Sequence, residues 1–155
     1  KGRETYGIGN PLPAWFEQGG QYALSSIALA VQVRKWRQSS LMQGRIDTCN
    51  GKKIQDSVFY NANPNLGGCH YQLGAIATEL MVALYGFDAP ISWYKSISID
   101  NRATQDEFLK TWTITFKQAY GDDLDQFYVW ANAYAKYLNS NGKTMLPRDL
   151  LQRLN

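Results

Sequence analysis

Apolar residues recur three and four positions apart along much of the chain, which is the spacing of one face of an α-helix. From about Pro13 to Gln38 the apolar stripe is broad, so we expect a central helix that is covered on most sides. A cleaner stripe predicts a second helix from about Cys69 to Tyr85, and Gly86 is the expected stop.

Shorter helical patterns follow. Pro90 begins a short helix, since proline is tolerated in a first helical turn. The run Thr104-Gln-Asp-Glu107 has the pattern of a capping box and predicts the start of a fourth helix. Asp122 or Asp123 is expected to cap a fifth helix, and a last short helix is predicted to start at Leu146.

The stretch from about residue 39 to 66 is the least regular part, because glycine, asparagine and proline mark several turns there. A loop region of this length inside a compact domain more often has a function, or is fixed by contacts to the rest of the domain, than lacks both. The pattern therefore predicts an all-α fold, in which residues 1–155 form a single compact domain of five or six helices with one long irregular loop region.

Composition agrees with a folded domain. The 155 residues include 45% hydrophobic and 14% aromatic residues, which favours a well-packed core. The net charge of +3 is mild and no basic run exceeds two residues, so no nucleic-acid partner is expected. No apolar run approaches the length of a membrane span. Because the chain begins at Lys1 without an initiating Met, we expect a processed or trimmed piece of a longer protein.

The two cysteines, Cys49 and Cys69, are compatible with a disulfide, two buried thiols or part of a metal site. Two cysteines and the single histidine, His70, do not match a standard structural zinc pattern, and His70 is expected to be structural. A disulfide would constrain the unfolded chain by about 3 kcal/mol and would require an oxidising compartment. We favour the disulfide, and with it an extracytoplasmic location: secreted, periplasmic or at the cell surface.

Two segments remain as candidates for chemistry: Trp15-Phe-Glu-Gln-Gly-Gly-Gln21, which carries polar groups where an apolar helix face would be expected, and Cys69-His-Tyr-Gln-Leu-Gly-Ala75. The two glycines of the first segment leave room for another backbone or a ligand to come close. An ordinary capped helix start with exposed Glu17 and Gln18 accounts for the first segment equally well. The chain has no glycine-rich phosphate loop, no Gly-x-Ser-x-Gly, no Cys-x-x-Cys and no paired-histidine motif.

In their order and spacing, the two segments resemble the gluzincin-type metallopeptidases related to the zinc aminopeptidases. In that family one helix carries His-Glu-x-x-His, and a second supplies the third zinc ligand from Trp-x-x-Glu-Gly-x-Ala. A later Tyr-x-x-Gly-Ala segment brings a tyrosine whose hydroxyl supports the tetrahedral oxyanion. The matching residues here are Trp15 and Gly19, then Tyr71, Gly74 and Ala75. The resemblance spans about residues 11 to 138 and implies that the two segments lie side by side as walls of a cleft.

The departures from the family pattern concern the metal site. The zinc-ligand glutamate falls on Gln18, and a neutral amide oxygen is a poor zinc ligand. Glu17 lies one residue earlier, a rotation of about 100° on a helix, so it should point elsewhere unless the backbone shifts. The His-Glu-x-x-His helix would fall upstream of Lys1. The resemblance thus makes Gln18 a vestigial metal-ligand position and makes Tyr71 and Glu17 candidate catalytic residues. No cofactor is expected in this chain, and zinc only if an upstream His-Glu-x-x-His helix is present.

Three functions follow. The leading hypothesis is a peptidase-derived, catalytically incomplete exported domain that acts in binding or assembly with a protein or peptide. The alternative is the C-terminal half of an active zinc metallopeptidase whose His-Glu-x-x-His helix lies upstream. A third possibility is a self-associating structural module with an aromatic contact surface. That surface would comprise Trp36, Trp93, Tyr94, Trp130, Tyr134 and Tyr137.

Overall fold

The computed structural model describes residues 12–20, 24, 49, 51–59, 69–99 and 103–141, without the side chains of residues 18, 70 and 138–141. The elements in this part of the chain are a π-helix, Trp15–Gly20, a 3₁₀ helix, Ile54–Ser57, and four α-helices: α1 Cys69–Tyr85, α2 Ala89–Ser96, α3 Gln105–Tyr120 and α4 Leu124–Asn141. The described ranges contain no strand, and the predicted all-α fold is confirmed.

The helix ends follow the local sequence. Helix α1 has the predicted bounds, and Gly86 ends it with a φ of +96°, a conformation that suits glycine. Helix α3 begins with the predicted capping box: the Glu107 N–H donates to the Thr104 hydroxyl at 3.3 Å, and the Thr104 N–H donates to the Glu107 carboxylate at 2.7 Å. These hydrogen bonds, the one from the Thr104 backbone first, lower the pKa of Glu107 from its ordinary value of 4.5.

The core is aromatic and lies where the α-helices meet. Trp93 of α2 packs edge-on against Phe116 of α3 with ring centroids 5.2 Å apart, and Phe116 lies 5.1 Å from Phe127 of α4. The buried Trp93 donates its Nε1–H to the Thr115 hydroxyl at 3.0 Å, so the indole nitrogen is satisfied inside the core.

Burial corrects the predicted aromatic contact surface. Trp93 and Tyr134 are 0% and 1% exposed, so their assignment to a surface is wrong, because their rings fill the core between helices. Tyr94 is exposed, whereas Trp130 and Tyr137 are partly buried against the core. Trp36 lies outside the described residues.

Within the irregular region, residues 51–59 are described and are tied to the helices. The Ile54 N–H donates to the Asn132 side-chain oxygen of α4 at 3.0 Å, and the Asn132 amide donates to Gln55 at 2.7 Å. This part of the predicted loop is therefore fixed to α4 by hydrogen bonds. The predicted last helix and most of the predicted helix from Pro13 to Gln38 lie outside the described residues. No helix within the described ranges is both long and apolar enough to cross a membrane.

Candidate functional site

The π-helix crosses α1 through glycines, with the two backbones in contact. A Cβ atom built on Gly19 would lie 2.5 Å from the Cα atom of Gly74 and 2.5 Å from the nitrogen of Ala75. A Cβ atom built on Gly74 would overlap the carbonyl oxygen of Trp15 and lie 3.0 Å from the Gly19 Cα atom. Only glycine at both positions permits this approach. The expectation that the two segments lie side by side is therefore confirmed.

The first segment is π-helical rather than α-helical. A π-helix closes i→i+5 hydrogen bonds, so each residue turns through a smaller angle than the about 100° of an α-helix. The backbone thus departs from α geometry over Trp15–Gly20, the stretch that includes Glu17 and Gln18. Such π-helical turns occur often at functional sites. This is the kind of backbone shift on which the direction of the Glu17 side chain depends.

The two candidate catalytic residues belong one to each of the crossing segments. Glu17 belongs to the π-helix and is partly buried. Tyr71 lies one helical turn before Gly74, on the same side of α1, and is 39% exposed. Gln18 lies in the π-helix, but its side chain is outside the described part, as is that of His70.

Trp15 anchors the π-helix in the core. Its indole is fully buried and stacks against Trp93 and Phe127, each with ring centroids 6.2 Å away. The indole Nε1–H donates to the Tyr128 hydroxyl at 3.3 Å. Burial raises the pKa of Tyr128, so that hydroxyl stays protonated at neutral pH. Trp15 therefore joins the π-helix to the aromatic core.

The middle of α1 buries polar groups that the apolar pattern did not predict. The Glu79 carboxylate is 2% exposed and accepts a hydrogen bond from the Tyr134 hydroxyl at 2.6 Å. The Thr78 hydroxyl is fully buried beneath the π-helix, 3.1 Å from where a Cβ on Gly20 would lie. It has no hydrogen-bond partner among the described residues. The available signal was a glutamate inside the apolar run from Ala75 to Leu84.

Cys49 and Cys69 form a disulfide with their Cα atoms 5.5 Å apart, which decides between the three possibilities for this pair. Both cysteines are buried, and Cys69 is the first residue of α1, two residues before Tyr71. The Gln72 side chain is buried beside them, with its Oε1 atom 2.5 Å from Cys49 Sγ. The disulfide thus joins the irregular region to the start of the helix that forms the crossing.

The described residues do not by themselves fit a zinc ion. No group of three or more His, Cys, Asp or Glu side chains comes together in this part of the chain. Comparison with models of known protein families, with curated proteins and with solved structures gave no match.

Proposed function

We propose that this protein is a peptidase-derived helical domain that binds a protein or peptide without hydrolysing it. The observation that carries the proposal is the backbone contact between Gly19 and Gly74. The resemblance to gluzincin peptidases relates two segments that are far apart in sequence, and these two segments pack directly against each other. Their contact supports a common origin with a peptidase cleft.

The residue types at the crossing support a binding role over hydrolysis. Hydrolysis by a zinc peptidase requires a metal that lowers the pKa of a bound water. Gln18 occupies the position of the carboxylate ligand, and its amide oxygen carries no net charge to hold the metal. Tyr71 then remains as an amphipathic, partly exposed side chain that can contact a peptide.

Binding or assembly is also supported by an exposed apolar face on α2. Phe87, Ile91 and Tyr94 are 47%, 43% and 48% exposed. Ile91 and Tyr94, three residues apart, lie on one side of α2, and Phe87 lies in the turn just before the helix begins. Aromatic residues are enriched at the centres of protein interfaces. Sedimentation velocity at two protein concentrations tests whether this face joins two copies, with Tyr94→Ser as the disrupting variant and Leu109→Ser on α3 as its control.

The disulfide supports an extracytoplasmic location, because disulfides persist in oxidising compartments. The protein should therefore be prepared by export into such a compartment, so that Cys49 and Cys69 are joined.

The experiment measures zinc content and peptidase activity of the intact, full-length protein. Elemental analysis of protein purified without chelator should give far less than one zinc per chain. A fluorogenic peptide library should show no turnover above a heat-inactivated sample. Stoichiometric zinc, together with turnover that a chelator abolishes, would refute the binding-only proposal.

A second candidate, an active zinc peptidase completed by an upstream helix, is favoured by one observation: the π-helix that contains Glu17. A backbone that departs from α geometry changes the direction of the Glu17 side chain, and under this candidate the Glu17 carboxylate serves as the third zinc ligand. Under this candidate, Glu17→Gln removes bound zinc and turnover while Gln18→Ala leaves both unchanged. Under the binding-only proposal, the parent and both variants alike lack zinc and turnover.

A further inference from the structure

Helix α2 carries a negative, an apolar and a positive side chain in turn along one exposed stripe. Asp88, Ile91 and Lys95 are all exposed, and spacings of three and four residues place them on one side of the helix. Asp88 precedes the first residue of α2 but continues its geometry, because its φ and ψ are −81° and −8° and its carbonyl accepts a hydrogen bond from the Ser92 N–H at 2.9 Å. The two charged groups therefore lie about one turn before Ile91 and one turn after it.

Aromatic side chains extend the apolar part of this stripe. Tyr94 is exposed three residues after Ile91, and Phe87 is exposed in the turn next to Asp88. An apolar centre with charged residues at its edge is the arrangement of a protein interface. Because α2 has eight residues and is about 12 Å long, an interface formed by this helix is small, and small interfaces belong to weak, transient complexes.

The stripe is complementary to itself when its direction is reversed. Two copies of α2 that lie antiparallel about a two-fold axis beside Ile91 bring Ile91 of one copy against Ile91 of the other. Asp88 lies three residues before Ile91 and Lys95 four residues after it, so Asp88 of each copy meets Lys95 of the other. A two-fold axis repeats every contact, and the pairing therefore forms two ion pairs.

A parallel pairing of the same stripe would place like charges at the same level. About a two-fold axis along the helices, Asp88 lies level with Asp88 of the second copy, and Lys95 lies level with Lys95. Like charges across an interface cost free energy, and charges beside an apolar seam set the orientation of paired helices. The Asp88 side chain makes no capping hydrogen bond to α2, so the cap of its own helix does not occupy it. The order of the charges thus favours a second copy in antiparallel orientation.

We propose that two copies of this chain pair through α2 in antiparallel orientation, with Asp88 of each copy bound to Lys95 of the other on one side of the Ile91 contact. This pairing rests on the binding or assembly role proposed above and names a second copy as the partner. Exposed ion pairs each contribute little free energy, and salt screens them. The dimer is therefore weak, forms at high protein concentration and dissociates further as the salt concentration rises.

The test is sedimentation equilibrium of the intact protein at low salt, from micromolar to millimolar concentration. Asp88→Lys and Lys95→Asp each turn both ion pairs into like-charge contacts, so either variant should raise the dimer dissociation constant by roughly tenfold or more. The two reversals combined in one chain restore both ion pairs with their signs exchanged, and this protein should dimerise like the parent. Its charges are the unfavourable ones for the dipole of α2, so the recovery cannot come from a more stable helix.

Asp106→Lys is the matched control, because it makes the same charge change at an exposed position in the first turn of α3. It should leave the dissociation constant nearly unchanged, and Lys95→Asp alone carries the test if circular dichroism shows that Asp88→Lys does not fold. A parent protein that stays monomeric at millimolar concentration would overturn the proposal, as would reversals that dimerise like the parent. Failure of the pairing is distinguishable from failure of the proposed function, which is decided by zinc content and peptidase turnover.

Discussion

Two helix contacts in this molecule are built in opposite ways. Between α3 and α4 the space is filled by side chains, with Phe116 and Phe127 in ring contact. Between the π-helix and α1 no side chain intervenes at the crossing, and Gly19 lies directly on Gly74. The first contact tolerates adjustment, because rings can shift on their rotatable bonds. The second depends on the absence of two Cβ atoms, so it is specific but easily broken.

Gly74→Ala is expected to cause the largest loss of stability. Alanine is a better helix former than glycine by about 1 kcal/mol, so the same substitution at an ordinary position within a helix would stabilise the protein. Here the added Cβ overlaps the Trp15 carbonyl, and the backbones must separate. We expect a net loss of about 3 kcal/mol or more in the free energy of unfolding, measured by urea denaturation. A Gly74→Ala protein as stable as the parent would show that the two backbones are not in contact.

The same contrast separates what the sequence predicted from what it did not. The start of α3 was predictable because Thr104 and Glu107 satisfy each other locally. The bounds of α1 were predictable because its apolar spacing ends at Gly86. The π-helix was not, because no local pattern distinguishes a π-turn from an α-turn when tertiary packing decides the backbone. The pairing of Glu79 with Tyr134 was missed for the same reason, since their contact spans two helices.

The second prediction concerns the N-terminal cap of α3, which the local sequence determines. Thr104→Ala removes the side chain that caps α3, and loss of such a cap costs about 1 kcal/mol of stability. Thermal unfolding should register this as a decrease of a few degrees. Thr113→Ala, an exposed position within the same helix, is the matched control and should change the midpoint less. Equal effects of the two substitutions would mean that the cap contributes nothing.

The third prediction returns to the crossing, where the Thr78 hydroxyl is buried without a partner among the described residues. Thr78→Val keeps the shape and removes the hydroxyl, so stability should rise by about 0.5–1 kcal/mol. Thr113→Val removes a hydroxyl that donates to the Leu109 carbonyl at 2.9 Å on the surface, and no gain is expected. A loss of stability in Thr78→Val would show that the hydroxyl is hydrogen-bonded in solution.

The smallest effect is a pH dependence at the start of α3. Because the folded state lowers the pKa of Glu107, this group contributes stability above the ordinary value of 4.5 that is lost as pH falls through the folded value. Unfolding midpoints measured between neutral pH and about pH 3 should therefore fall less steeply in Thr104→Ala than in the parent. Identical slopes would mean that Thr104 does not set the titration of Glu107.

The contact between Gly19 and Gly74 is tested most directly by a proton–proton nuclear Overhauser measurement on protein with labelled glycine. The chain has 13 glycines, so their Hα resonances can be assigned individually. A Cβ on Gly74 would lie 3.0 Å from the Gly19 Cα atom, and a glycine Hα occupies that direction. We expect a strong cross-peak between the Hα protons of Gly19 and Gly74. If both residues are assigned and no cross-peak joins them, the two segments do not meet, and the proposed peptidase-like crossing is wrong.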